Sequence, residues 1–286
     1  MDMTTLRRGL SAALAGGALS LGLAAGAAAQ DTLAHIKETG VVTVGTEAAF
    51  PPFEFVEDGE IVGYGKDILT VVVEELGVEL EQLDLPWQGI LPGVLAGKFD
   101  FVATTVSINE ERAKRYAYTI PIANGEPYLM KRAGDGSITS VEDMNGKVLG
   151  TQLASSAEPI ARALDEALKA DGGEGLAELK LYTAYTDTYV ALANGEIDGV
   201  IQSVPNLAVL VKDRPDMFEL VAPVEAGVNY TYMAWVTRPE DLELRDFISG
   251  VIREMRDDGR LYELQEKWFG FTMEIPDEGY LPPGSF

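Results

Sequence analysis

The stretch Lys66-Asp67-Ile68-Leu69-Thr70-Val71-Val72-Val73-Glu74-Glu75-Leu76-Gly77-Val78-Glu79-Leu80 changes hydrophobic period halfway along. Ile68, Leu69, Val72, Val73 and Leu76 share one face at helical spacing, Gly77 stops the helix, and residues 78–85 read as a strand. Outward from it the alternation continues. Residues 41–45 (VVTVG) form a short β-branched strand, and a second, hairpin-like strand at 61–64 follows the turn Glu57-Asp58-Gly59-Glu60. Residues 90–95 read as a short helix and 101–105 as a strand. Strands alternating with helices demand crossovers, and hence an open α/β sheet.

A second alternating set begins after Glu126-Pro127-Tyr128-Leu129-Met130-Lys131. It comprises strands at 147–151, 179–182 and 199–201 and helices at 155–170 and 187–193. The chain leaves it through Phe218-Glu219-Leu220-Val221-Ala222-Pro223. The remaining strand at 230–236 and the helices at 242–255 and 261–269 are too few for a domain and return to the first set. The expected architecture is two α/β lobes joined by two crossing strands. Lobe 1 takes residues 30–126 plus 225–286, and lobe 2 takes 127–224.

At the N-terminus, Arg7 and Arg8 precede an apolar run at 10–25 and the small residues Ala27-Ala28-Ala29. That order reads as a cleaved signal peptide over 1–29, with general secretion into the periplasm. No cysteine follows the run to carry a lipid. The chain has no Cys and one His, His35, which excludes disulfides, thiolate chemistry, His-based metal sites and Ser/His triads. With 46 acidic against 22 basic residues, net charge −24, the surface repels nucleic acid.

The chemistry concentrates in Thr104-Thr105-Val106-Ser107-Ile108-Asn109-Glu110-Glu111-Arg112, just after the strand-like Phe99-Asp100-Phe101-Val102-Ala103. A guanidinium fork matches the two oxygens of a carboxylate, and hydroxyls complete the shell. The alternative for Arg112 is a solvated charge on a helix running on through Arg115.

The run Thr46-Glu47-Ala48-Ala49-Phe50-Pro51-Pro52-Phe53-Glu54-Phe55, then Gly63-Tyr64-Gly65-Lys66-Asp67, then Gly97-Lys98-Phe99-Asp100 leading to Ser107 and Arg112, closely resembles the polar amino acid family of ABC-transporter solute-binding proteins. Gly146-Lys147-Val148, Ser155-Ser156-Ala157-Glu158, Leu192-Ala193-Asn194-Gly195-Glu196-Ile197-Asp198 and Lys267-Trp268-Phe269 extend the likeness over the mature chain in order. The resemblance implies a two-lobed periplasmic binding protein fold of type II that closes over a small zwitterionic or carboxylate ligand. It implies a membrane permease of an ABC importer as partner, a monomer, and neither cofactor nor metal.

By the same resemblance Arg112 pairs with the ligand carboxylate, helped by Ser107 and Thr105. Ser155 and Ser156 add a helix start from lobe 2, written as a capping box with Glu158. Phe50 and Trp87 form aromatic walls for a cation, Phe50 on an exposed rigid loop with Pro51-Pro52. Phe53, Phe55 and Trp268 are packing residues.

Two departures from the family stand out. Ser203 takes the position of an Asp that commonly receives the α-ammonium, which leaves Glu47 as the acid for the ligand's cation. Gly65 replaces another acid. A basic amino acid or an ectoine-like zwitterion suits this set. The alternative from another class is a periplasmic dehydratase-type enzyme on the same scaffold acting on a small cyclic carboxylic acid, for which only Glu47 is a plausible acid or base.

Overall fold

The computed structural model describes residues 31–225 and 232–286. The signal-peptide segment, and the first two residues of the strand expected at 230–236, lie outside the described residues. In chain order the elements are α1 (Thr32–Thr39), β1 (Val41–Thr46), β2 (Ala49–Phe50), β3 (Glu54–Glu57), β4 (Glu60–Val62), α2 (Tyr64–Leu76), β5 (Glu79–Asp84), α3 (Trp87–Leu95), β6 (Phe101–Ser107), α4 (Glu110–Ala113), β7 (Ala117–Tyr118), β8 (Ala123–Asn124) and β9 (Pro127–Arg132). After a 3-10 turn they continue as β10 (Val148–Gln152), α5 (Ala157–Ala170), β11 (Glu178–Tyr182), α6 (Tyr185–Asn194), β12 (Gly199–Ser203), α7 (Val204–Asp213), β13 (Phe218–Pro223), β14 (Tyr232–Thr237), α8 (Leu242–Asp257) and α9 (Arg260–Trp268).

Two sheets carry the architecture. The first runs β5-β1-β6-β14-β7, with β8 also paired to β14, and the second runs β11-β10-β12-β9-β13. In each, the first three strands are parallel and the next joins antiparallel. We call the halves built on these sheets lobe 1 and lobe 2. The crossing segments leave side by side, since β9 pairs β13 in lobe 2 and β8 pairs β14 in lobe 1.

The helical face read from the sequence is the buried one. Ile68, Leu69 and Val72 of α2 are fully covered, and Gly77 ends the helix at φ 69° with its N–H on the Val73 carbonyl. The strand expected at 61–64 stops at Val62, because Tyr64 opens α2 and turns its ring into the lobe 1 core, its hydroxyl donating to the Ile122 carbonyl at 2.8 Å. The helix considered beyond Arg112 ends at Ala113. Helix α7 was not read from the sequence, although Pro205 in its first turn is a favoured helix starter.

Gly65 has a structural reason. A Cβ there would lie 1.8 Å from Oε1 of Glu54, a fully buried side chain whose Oε2 accepts from the Thr104 hydroxyl at 2.8 Å. The Glu54 carboxyl therefore fills the space of a side chain at 65, and burial holds its pKa well above the usual carboxylate range. Gly65→Ala is expected to cost about 1–3 kcal/mol by overpacking. Thermal melts of this variant and of Gly65→Ala with Glu54→Ala check it: the second substitution should recover part of the loss.

Candidate functional site

Glu47 follows β1, Trp87 opens α3 after β5, and Thr105 and Ser107 end β6. Gln152 ends β10, Tyr185 opens α6 after β11, and Ser203 ends β12. All sit at the carboxyl ends of parallel strands or just beyond them, where open α/β sheets bind ligands. Together with Phe50, Arg112, Ser155, Ser156 and Met233 they line one cavity between the lobes. Every site residue expected from the sequence is in that lining.

The lobes meet across it. Trp87 Nε1 donates to the Ala154 carbonyl at 2.9 Å, Arg112 Nη2 to the same carbonyl at 3.2 Å, and the hydroxyls of Ser107 and Ser156 are 2.9 Å apart. Gln88 Nε2 reaches the carbonyls of Leu153 and Thr183 at 3.2 and 3.1 Å, and Asn206 Nδ2 that of Pro51 at 2.7 Å. Only about 30 Å³ remains between the lining side chains. A roomier cavity of about 440 Å³, between Pro51-Pro52 and helices α6 and α7, has a mainly apolar lining that includes Val190, Val209, Leu210 and Phe218. The smaller one gathers the polar groups and is the candidate site.

Arg112 lies half-buried over the Trp87 ring, 5.3 Å from its centroid. Among the described residues no carboxylate pairs with it, whereas its neighbours Lys114 and Arg115 face Glu110 and Glu111 at 3.8 and 3.9 Å. The Thr105 hydroxyl is buried with no hydrogen-bond partner. A guanidinium with no carboxylate partner among the described residues, beside an unsatisfied buried hydroxyl, is equipped to bind an anionic oxygen pair. Of the three hydroxyls noted in the sequence, Thr104 points the other way, onto Glu54, as strand alternation requires.

Glu47 is 4% exposed and accepts from Gln152 Nε2 at 2.5 Å. Desolvation pushes its carboxyl up to about 7. The Gln152 hydrogen bond opposes that rise, and the negative charge of Asp84 adds to it. Without a cation beside it, Glu47 is therefore easily protonated.

Two expectations change. Phe50 is not on an exposed loop: it is 8% exposed, its ring 5.8 Å from Tyr185, because α6 packs on that loop. The reciprocal capping box at Ser155-Ser156-Ala157-Glu158 does not form. Ser155 Oγ accepts from Ala157 N at 3.2 Å and Glu158 from Ala154 N at 2.8 Å, since Ala154 turns the chain at φ 61° and sets the helix start at Ala157. Ser203 lines the cavity while its hydroxyl donates to Asn206 Oδ1 at 2.6 Å.

Gln152, Tyr185 and Met233 were missed. Gln152 had one legible signal, its place just past the strand at 147–151. Met233 reaches the cavity only because β14 pairs with β6, Met233 opposite Ser107. Tyr185 is placed by the packing of lobe 2, with its hydroxyl donating to Ser155 Oγ at 3.2 Å.

Two α/β lobes gripping a polar cavity at their strand ends define a protein that captures a small solute. Residues 42–271 match the bacterial extracellular solute-binding proteins, family 3, and the chain belongs to that family. It is 30% identical over 246 residues to the L-cystine-binding protein TcyJ of Escherichia coli (strain K12), covering 83% of this chain and 86% of that one. It is 26% identical to an L-arginine-binding protein of Pseudomonas aeruginosa (strain PAO1), covering 81% of this chain and 89% of that one. Among solved structures, an ancestral arginine-binding protein bound to arginine matches with TM-score 0.71 and 30% identity, over 81% of this chain and 99% of the other. The P235GK mutant of ArgBP from T. maritima matches with TM-score 0.71 and 29% identity, over 84% and 99%. The family is one of binding and transport, so the chain is a solute-binding protein and not an enzyme.

Proposed function

We propose that this chain is the periplasmic substrate-binding component of an ABC importer and captures an amino acid or an amino-acid-derived zwitterion, basic or ectoine-like, by lobe closure. The observation that carries this reading is Arg112, a cleft guanidinium with no carboxylate partner among the described residues, beside the unsatisfied Thr105 hydroxyl. In it Arg112, Thr105, Ser107, Ser155 and Ser156 hold the carboxylate, and Glu47, Phe50, Trp87 and Ser203 surround the cation. The 30 Å³ left between the closed side chains is too little for an amino acid, so the lobes part to admit the ligand.

The lobes divide at 30–126 plus 225–286 and at 127–224, with the hinge at 126–128 and 221–224. Ligand favours the closed form because only there does it touch both lobes. Micromolar capture needs about −8 kcal/mol, which a few charge-assisted hydrogen bonds supply after ordering costs. The signal at 1–29 exports the chain, which works as a monomer and delivers to a membrane permease. Names of relatives support an amino acid as cargo.

A thermal-shift screen of the mature protein against amino acids, including L-cystine and L-arginine, ectoine, and prephenate-like acids tests the reading. A rise in Tm with an amino acid or ectoine-like zwitterion, lost in Arg112→Ala, is expected. Stabilisation by a non-zwitterionic acid alone, or no stabilisation at all, overturns it.

A further inference from the structure

Gln152 brings lobe 2 to Glu47, the one acid among the described residues of the cavity lining. Its Nε2 donates to Glu47 Oε1 at 2.5 Å and to the Thr183 carbonyl at 3.0 Å. A carboxamide nitrogen has two N–H groups, and these two bonds engage both. The side chain is 1% exposed and anchored within its own lobe by Thr183, so it closes onto Glu47 whenever the lobes close.

We propose that Gln152 is a specificity-determining residue: by donating to Oε1 of Glu47 it competes for one of the two oxygens that a guanidinium fork would engage together, so the cleft selects a zwitterion with a compact ammonium over one with a guanidinium. The inference rests on the reading above, in which Glu47 meets the cation. A guanidinium binds a carboxylate best through two parallel N–H···O bonds, and this pairing is weakened when one of the two oxygens already accepts from another donor. An ammonium is a point charge that needs a single oxygen and takes other acceptors around it. Lobe 2 offers no compensating acid, since Gln152, Ser155, Ser156, Tyr185 and Ser203 are its contributions to the lining. The charge balance of the cavity, one Arg and one Glu, also fits a ligand with one carboxylate and one cation near Glu47.

Titration calorimetry of the mature chain with L-lysine, L-arginine, L-glutamine and L-cystine, on wild type, Gln152→Ala and Gln152→Leu, tests it. Wild type should hold its best ammonium ligand at least about tenfold more tightly than L-arginine, the loss of one charge-assisted hydrogen bond. Gln152→Ala should cut that ratio to about threefold or less by freeing Oε1. Gln152→Leu keeps the volume should the smaller side chain upset folding. A carboxyl NMR titration of Glu47 without ligand gives a readout that simple cavity filling would not move: its midpoint rises from about 7 in Gln152→Leu, because the hydrogen bond opposing the rise is gone. A wild type that holds L-arginine as tightly as any ammonium ligand overturns the proposal, as does a ratio unchanged in both variants. Wild-type affinity in Arg112→Ala overturns the carboxylate reading alone, and binding of none of the four overturns both.

Discussion

Arg112→Ala is expected to raise the Kd for the cognate zwitterion by about two to three orders of magnitude, as truncating one partner of a buried charge pair costs about 2–5 kcal/mol. Arg112→Lys should fall between, keeping the charge and losing the fork. The ligand-free Tm should hardly move, because the guanidinium has no carboxylate partner among the described residues and its cation–π contact with Trp87 is half-exposed. Calorimetry alongside ligand-free melts checks both halves. A large fall in ligand-free Tm with little change in Kd would make Arg112 a structural residue and sink the assignment.

The second large effect is the pH dependence carried by Glu47. Its carboxyl is pushed from 4.5 to about 7 in the closed cleft, so the closed form without ligand binds a proton that an open, hydrated Glu47 does not. Closure without a cation is therefore favoured at low pH, and that contribution is lost as pH rises through about 4.5 to 7, up to about 3 kcal/mol in all. A cationic group reverses the sign by favouring the ionised carboxylate. Reckoned from the closed, protonated ligand-free form, affinity for the zwitterion should rise up to about tenfold per pH unit approaching 7 and level off above it, with a proton released on binding. Glu47→Gln should flatten the profile and weaken binding about 10- to 100-fold, the equivalent of one charge-assisted hydrogen bond. Calorimetry from pH 5 to 8 in buffers of different ionisation enthalpy reads both. A flat wild-type profile with no proton release would place the ligand's cation elsewhere.

Fold and site differed in how far they could be read along the chain. Apolar periodicity located α2, β1, β5 and β6, because those faces are buried within a lobe and the pattern is local. The short pieces escaped: α1 carries a single apolar stripe residue buried at Ile36, and β7 and β8 are two-residue strands that exist through pairing with β14. Arg112 and its hydroxyls were legible since they follow one strand in sequence. Thr104 illustrates the limit, for the same run that exposes Thr105 and Ser107 to the cavity turns Thr104 inward onto Glu54.

Local order along the chain was enough for the alternation of strand and helix and for grouping Thr105, Ser107 and Arg112 as candidate carboxylate contacts, since these rest on residues close together in sequence. Tertiary structure alone decided that Glu54 fills the space left at Gly65, that Phe50 is covered by α6, and that Gln152 closes on Glu47. These contacts join residues between 11 and 135 positions apart, or bring together lobes that no local pattern couples, and the Gln152 contact bears on the protonation and reach of Glu47, the one acid among the described residues of the cavity lining. Desolvation depends on what packs around a group, which is a property of the assembled lobes and not of its neighbours in the chain.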